Sequence, residues 1–191
     1  MEHRTKMKIL IICNFSKGAS GTWTRAFQEA KEFVKRNHEV YVFSSNETEN
    51  GEKAVLKENL EGIKIQRFPI LKRRGYALWF NFEREALKLH PDVLIVNGYR
   101  KPYINQAIKI TQKIRAKCFL VTHAPFNIKR NWKLNLIVKA YDFFYRGILN
   151  KFDKVIAITK WEIPYLLKLG CDKEKIVYIP NGLSEEFFEN G

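Results

Sequence analysis

Cysteine is scarce, and what there is cannot staple a fold. Cys13, Cys118 and Cys171 are odd in number, far apart, and show no CxxC pair or Cys/His ligand spacing. Neither a disulfide framework nor a zinc site is indicated, and a reducing, cytoplasmic setting is expected. Long apolar runs are missing as well. The run Ile9 to Cys13 is too short, and too soon followed by polar residues, to be a signal-peptide core, and no run approaches the length of a membrane span. If the protein meets a membrane, it lies on it. Acidic residues are few: 20 Asp plus Glu stand against 34 Lys plus Arg, a formal net charge of +14. That balance favours anionic partners, whether nucleic acid, an anionic membrane surface or phosphorylated small molecules. Internal repeats and low-complexity linkers are absent, and 191 residues at 46% hydrophobic suffice for one domain with a sizeable core.

What is present alternates. "KILIIC" (Lys8 to Cys13) is a continuous apolar run of the kind buried on both faces of a parallel sheet. From Thr22, the residues Trp23, Phe27, Ala30 and Val34, flanked by Ala26 and Phe33, follow helical spacing. "VYVF" (Val40 to Phe43) then reads as a second strand, Asn46 to Glu61 as a polar loop or weak helix, and "IKIQRF" (Ile63 to Phe68) as a strand limited by Pro69. Trp79, Phe82, Ala86 and Leu89 predict a helix before "VLIVN" (Val93 to Asn97); Ile104, Ala107, Ile108 and Ile114 predict another before "CFLVTH" (Cys118 to His123). A long aromatic and basic stretch follows, then "KVIAIT" (Lys154 to Thr159), a short helix ending at Gly170, and "IVYIP" (Ile176 to Pro180). Strands alternating with helices predict an α/β domain, doubly wound, with a largely parallel sheet and helices on both faces. Ligands of such sheets bind at the carboxyl ends of the strands, so the residues just after each strand are the candidates.

The loop after the first strand, "NFSKGASGTWT", carries Gly18 and Gly21, which let a backbone approach a ligand, and its helix start could hold a phosphate. It is neither a Walker A loop nor GxGxxG, and a tight turn with Thr22 as a helix cap explains it equally well. Asn97, Gly98, Tyr99 and Arg100 follow one strand; His123, Ala124 and Pro125 follow the next. A single polar residue there can merely cap backbone groups, but three polar loops on one edge predict a site. Two stretches mix cations with aromatics: Lys72, Arg73 and Arg74 beside Tyr76, Trp79 and Phe80, and Lys129, Arg130 and Lys133 beside Trp132, Leu136 and Ile137. The second reads either as a helix packed on its own sheet or as an interfacial helix on anionic lipid.

"FDKVIAITKWEIPYLLKLGCDKEKIVYIPNGLSEEFF" resembles the end of the N-terminal domain of family 4 glycosyltransferases of the GT-B fold: a strand ending in Ser or Thr, a helix, a Gly, a charged turn, and a strand closed by "PNG" with an acidic-aromatic tail. "HEVYVFS", "PDVLIVNG" and "VTHAPF" stand where that family has its earlier strands, so the resemblance covers essentially the whole chain from Lys8. It implies that residues 1–191 are a single Rossmann-like N-terminal domain, the acceptor-side half of a GT-B fold, with the C-terminal donor-binding domain absent from this chain. The implied activity is hexosyl transfer from a nucleotide sugar to an acceptor, saccharide or lipid-linked, with retention, and inactive without the donor domain.

The resemblance also implies roles. Lys17, Gly18, Ala19, Ser20, Gly21 and Thr22 would face the donor diphosphate and the acceptor. His123 would line the sugar site and hydrogen-bond the transferred sugar rather than act as a base; Asn97 and Tyr99 would border the acceptor pocket, and Thr159 and Lys160 would lie near the cleft. Asn181 and Gly182 would shape the interdomain hinge. Neither a cofactor nor a metal is implied, in keeping with the lack of a DxD cluster. Many relatives carry a Gly-Gly pair where this chain has "SKGASGT", which leaves open which amide meets which ligand. The expected partners are the nucleotide sugar, the acceptor, the donor domain and an anionic membrane surface met by Lys72, Arg73, Arg74, Trp79, Lys129, Arg130, Trp132 and Lys133, with the protein peripheral at the inner face of the membrane. Two rivals stand beside this reading. One is a non-enzymatic, basic nucleic-acid-binding protein, against which stand the spread of the lysines and the lack of RNP-like, KH-like or zinc-finger patterns. The other is a nucleotide-sugar epimerase of GT-B architecture.

Overall fold

The computed structural model describes residues 5–16, 21–75, 77–123 and 132–182. The elements run β1 (Lys8–Ile12), α1 (Gly21–Lys35), β2 (Glu39–Ser45), β3 (Lys57–Leu60), β4 (Ile63–Phe68), β5 (Lys72–Arg74), β6 (Ala77–Trp79), α2 (Glu83–Leu89), β7 (Val93–Asn97), α3 (Ile104–Ile114), β8 (Lys117–Val121), α4 (Trp132–Phe144), β9 (Lys154–Ala157), α5 (Glu162–Lys168) and β10 (Ile176–Tyr178).

Eight strands form one sheet in the order β10-β9-β8-β7-β1-β2-β4-β3. Its neighbours run parallel except β3, which pairs antiparallel with β4 at the edge. The alternation of side chains explains why the strands read as unbroken apolar runs. Leu10, Ile12, Leu94, Val96, Leu120 and Val155 point to one face, which packs against α2, α3 and α5. Ile9, Ile11, Val42, Ile95 and Val121 point to the other, where Trp23, Ala26 and Ala30 of α1 cover them. Both faces exclude water, so neither set of positions tolerates a polar residue.

The chain moves from β1 outward through β2 and β4, then returns past β1 to start again at β7. In sheets with such a reversal, ligands bind beyond the carboxyl ends of the two central strands, here β1 and β7. The helix predicted from Trp79 begins later. Residues Lys72 to Trp79 form the two-stranded β5–β6 hairpin instead, which buries Leu78 and leaves Trp79 at the surface, and α2 starts at Glu83. The predicted loop or weak helix before Ile63 contains β3, a polar edge strand held by pairing rather than by burial. Helix α1 starts at Gly21, so Thr22 lies inside the first turn and is not its cap.

Candidate functional site

Three loops leave the carboxyl ends of β1, β7 and β8 side by side. The ladder continues past the strands: the Gly98 amide donates to the Val121 carbonyl (2.8 Å), Tyr99 to Thr122 (3.2 Å), and Thr122 to Ile156 (3.1 Å). Asn14 and Ser16 follow β1, Asn97 ends β7, and all three are buried. The Tyr103 hydroxyl donates to the Asn97 carbonyl at 2.5 Å, pinning the end of β7 from below. His123 then turns with φ 56°, a left-handed conformation that costs a residue with a Cβ and recurs at functional sites. Its ring reaches the end of the neighbouring strand β7, where Nε2 lies 2.8 Å from Oδ1 of Asn97. With Asn97 Oδ1 as the acceptor, Nε2 carries the proton and the lone pair of the ring lies on Nδ1. Gly98 makes room for the next element: its φ is 101°, and a Cβ there would stand 3.0 Å from Cγ of Lys101.

The charge around this pair is positive. Burial, then the charges of Arg25 and Lys101, push the His123 pKa down to about 4, so the imidazole is neutral at pH 7. Burial also holds the Lys101 ammonium below its ordinary value. Arg25 reaches the site from the first turns of α1, donating to Glu29 Oε1 (2.7 Å) and to Asn181 Oδ1 (2.6 Å). Glu29 is raised by burial despite that arginine. Among the described residues, Nδ2 of Asn97 finds no hydrogen-bond partner.

Two buried polar groups hold the loops in place. Glu162, at the start of α5, accepts from the hydroxyl of Thr122 and from that of Thr159 at 2.9 Å, tying the ends of β8 and β9 to one carboxylate. Arg67, at the end of β4, donates to Ser16 Oγ, to the Val55 carbonyl (2.8 Å) and to Glu58 Oε2 (2.6 Å). It thereby fixes the last described residue of the first loop.

Of the predicted site residues, the structure brings Asn97 and His123 into contact. Tyr99 is buried and its hydroxyl donates to Asp142 of α4 at 3.3 Å. Thr159 is engaged by Glu162, and exposed Lys160 sits with its ammonium 5.7 Å from the Tyr178 ring. Asn181 and Gly182 are exposed, and Asn181 meets Arg25. Gly21 and Thr22 open α1, while Lys17, Gly18, Ala19 and Ser20 lie outside the described residues, as do Lys129 and Arg130. Lys72, Arg73, Arg74 and Trp79 are exposed on the β5–β6 hairpin, Trp132 and Lys133 on α4. Arg25, Lys101 and Glu162 were not anticipated. Only Glu162 had a signal, the Thr-x-x-Glu spacing of "TKWE", which marks a helix start.

The three thiols are no candidates for nucleophiles: burial pushes Cys13 and Cys118 up to about 12 and Cys171 up to about 11. Among the described residues no group of three or more His, Cys, Asp and Glu gathers as a metal site. No described helix is long and apolar enough to cross a membrane.

Comparison with known proteins bears on the family and the fold. The chain matches Glycosyltransferase Family 4 over residues 19–187. Anabaena Alr3699/HepE, solved in complex with UDP and glucose, superposes with a TM-score of 0.64 at 15% identity, covering 93% of this chain and 45% of that one. Sucrose-phosphate synthase from Thermosynechococcus elongatus gives 0.61 at 13% identity, covering 94% and 49%. An alpha-glucosyltransferase in complex with UDP and DNA gives 0.50 at 15% identity, covering 91% and 40%. No curated protein matches. The chain thus spans about half the length, or less, of the solved structures it resembles, and at these identities the likeness is one of fold.

Proposed function

The chain belongs to glycosyltransferase family 4, and from that premise we propose that it is the acceptor-side half of an enzyme that moves a hexosyl group from a nucleotide sugar to an acceptor, with retention at the anomeric carbon. The observation that carries this is the neutral His123–Asn97 pair at the strand-order reversal, with Arg25 and Lys101 beside it. A ring whose pKa lies near 4 is a poor proton acceptor at neutral pH, which argues against general-base work. It is well suited to accept a hydrogen bond at Nδ1 from a hydroxyl of the transferred sugar. The amide nitrogen of Asn97, without a partner among the described residues, serves as a donor to the same substrate.

Negative charge grows on the nucleoside diphosphate as the glycosidic bond breaks. Arg25 and Lys101 supply positive potential beside His123, and the backbone amides of Gly18 to Thr22 are assigned to the same charge. Tyr99 shapes the acceptor side through its bond to Asp142, Thr159 and Lys160 border the cleft, and Asn181 and Gly182 form the hinge toward a donor-binding domain. The donor nucleotide is bound by that second domain, so turnover requires it; no metal is part of the mechanism.

The test is His123→Ala in a protein carrying both halves. Release of nucleoside diphosphate from the cognate donor falls by about a hundredfold or more, as for loss of a hydrogen bond made to the reacting group. A variant with unchanged turnover removes His123 from the site and the reading with it.

A further inference from the structure

Helix α4 packs through a narrow inner stripe. Val138, Tyr141 and Asp142, with Tyr145 just beyond its end, fall at spacings of three, four and seven residues and are half-buried, and Asp142 is tied to Arg100 at 2.6 Å. No residue of the helix is fully buried. On the opposite side Trp132, Leu136 and Phe143, at spacings of four and seven, are 72%, 63% and 73% exposed. Lys133 and Lys139 flank that stripe, and the Lys133 ammonium lies 5.5 Å from the Trp132 ring.

The β5–β6 hairpin has the same make-up: Leu71 is 72% exposed beside exposed Lys72, Arg73 and Arg74, and the Lys72 ammonium lies 5.6 Å from the Trp79 ring. The two patches are held at one place in the fold by consecutive residues at the start of α3. Asn105 donates to the Tyr145 hydroxyl just beyond α4 (3.5 Å), and Gln106 accepts from the Phe82 amide just beyond the hairpin (3.1 Å).

We infer that α4 and the β5–β6 hairpin form one docking surface for an anionic lipid bilayer. The outer stripe of α4 supplies apolar and aromatic groups along a helix roughly 20 Å long, lying in the plane of the interface. Lysines beside tryptophans are the pairing that suits the headgroup level, where the ring is half wet and the ammonium meets phosphate. The charge decides between a bilayer and a second copy of the chain. A two-fold dimer through this face would set Lys133, Lys139, Lys72 and Arg74 against their own images, whereas an anionic leaflet neutralises them. Arg73 contributes least, since Glu47 already pairs with it at 2.9 Å. The inference does not depend on the transferase reading.

Vesicle sedimentation tests it. The chain sediments with phosphatidylcholine vesicles containing phosphatidylglycerol, is released by salt, and stays in solution with phosphatidylcholine alone. K72E/R74E weakens binding by about fivefold or more for each cation removed. W132S/L136S/F143S, on exposed positions that leave the fold intact by circular dichroism, weakens it comparably, while K57E on the far edge strand changes nothing. Tryptophan emission is quenched by brominated lipid, and W79F/W132F removes the quenching. Indifference to both vesicle types overturns the inference. So does equal loss with K57E, a soluble dimer that the apolar triple variant dissolves, or binding that vanishes when a donor-side domain is present.

Discussion

At the scale of single residues, His123 and Asn97 meet at 2.8 Å across the ends of β7 and β8. Asn97 and His123 stand at the ends of apolar runs, so a sheet reading puts them on the ligand edge. Arg25 and Lys101 face His123 only through tertiary packing, and nothing in their own neighbourhood announces it. Burial first, and these two charges after it, have a measurable effect on the ring. The folded ring has a pKa near 4, against about 6.5 for a histidine in the unfolded chain, so between those values the unfolded state binds more protons. Stability is therefore highest above pH 6.5 and falls as pH drops toward 4, by up to roughly 3 kcal/mol from this residue. His123→Gln removes that part of the slope, which urea midpoints across the window would read; a wild-type slope no steeper than the variant's contradicts the burial argument. Arg67 is a second case. Its side chain is 0% exposed, and Arg67→Ala removes the donor to the Ser16 hydroxyl and the ion pair to Glu58. We expect a loss of about 3 kcal/mol in chemical denaturation, at the low end for a broken buried pair because Glu58 keeps some access to water.

At the scale of elements, the central strands and α1 and α3 announced themselves because each buries a face whose period is unmistakable. The misreadings share a cause. β3 is the sequence "KENL", mostly exposed at the sheet edge, and its pairing with β4 leaves no apolar trace. Trp79, Phe82 and Ala86 fall at helical spacing, but they belong to a hairpin, a linker and α2, which bury their residues separately. Helix α5 carries a prediction of its own. Glu162→Ala takes the carboxylate acceptor from the half-buried Thr159 hydroxyl and leaves the buried Thr122 hydroxyl only the longer bond to the Ile156 carbonyl (3.2 Å), at a cost of roughly 1–2 kcal/mol, and loosens the turn that presents His123. Glu162→Gln, which can still accept from one hydroxyl and donate to a carbonyl, retains more than half of that stability. Equal melting of the two variants would show that Glu162 fills space rather than holding hydroxyls.

At the scale of the whole molecule, the sheet order brings distant loops together: the ends of β7 and β8 lie side by side, Asn97 meets His123 there, and the charges of Arg25 and Lys101 reach the same ring. The +14 charge, ambiguous as composition, acquires two addresses, the cations beside His123 and those beside exposed aromatics on α4 and the hairpin. The solved structures of this fold are about twice the length of this chain, so the proposed reaction is tested with a donor-side domain supplied. The most direct test is nucleoside diphosphate release from a panel of nucleotide sugars, by the chain alone and joined to a donor-side domain. The account predicts no release by the chain alone, release from one donor by the joined protein, and loss of that release with His123→Ala. Absence of release from every donor by the joined protein, together with salt-sensitive binding to DNA or RNA, would contradict it.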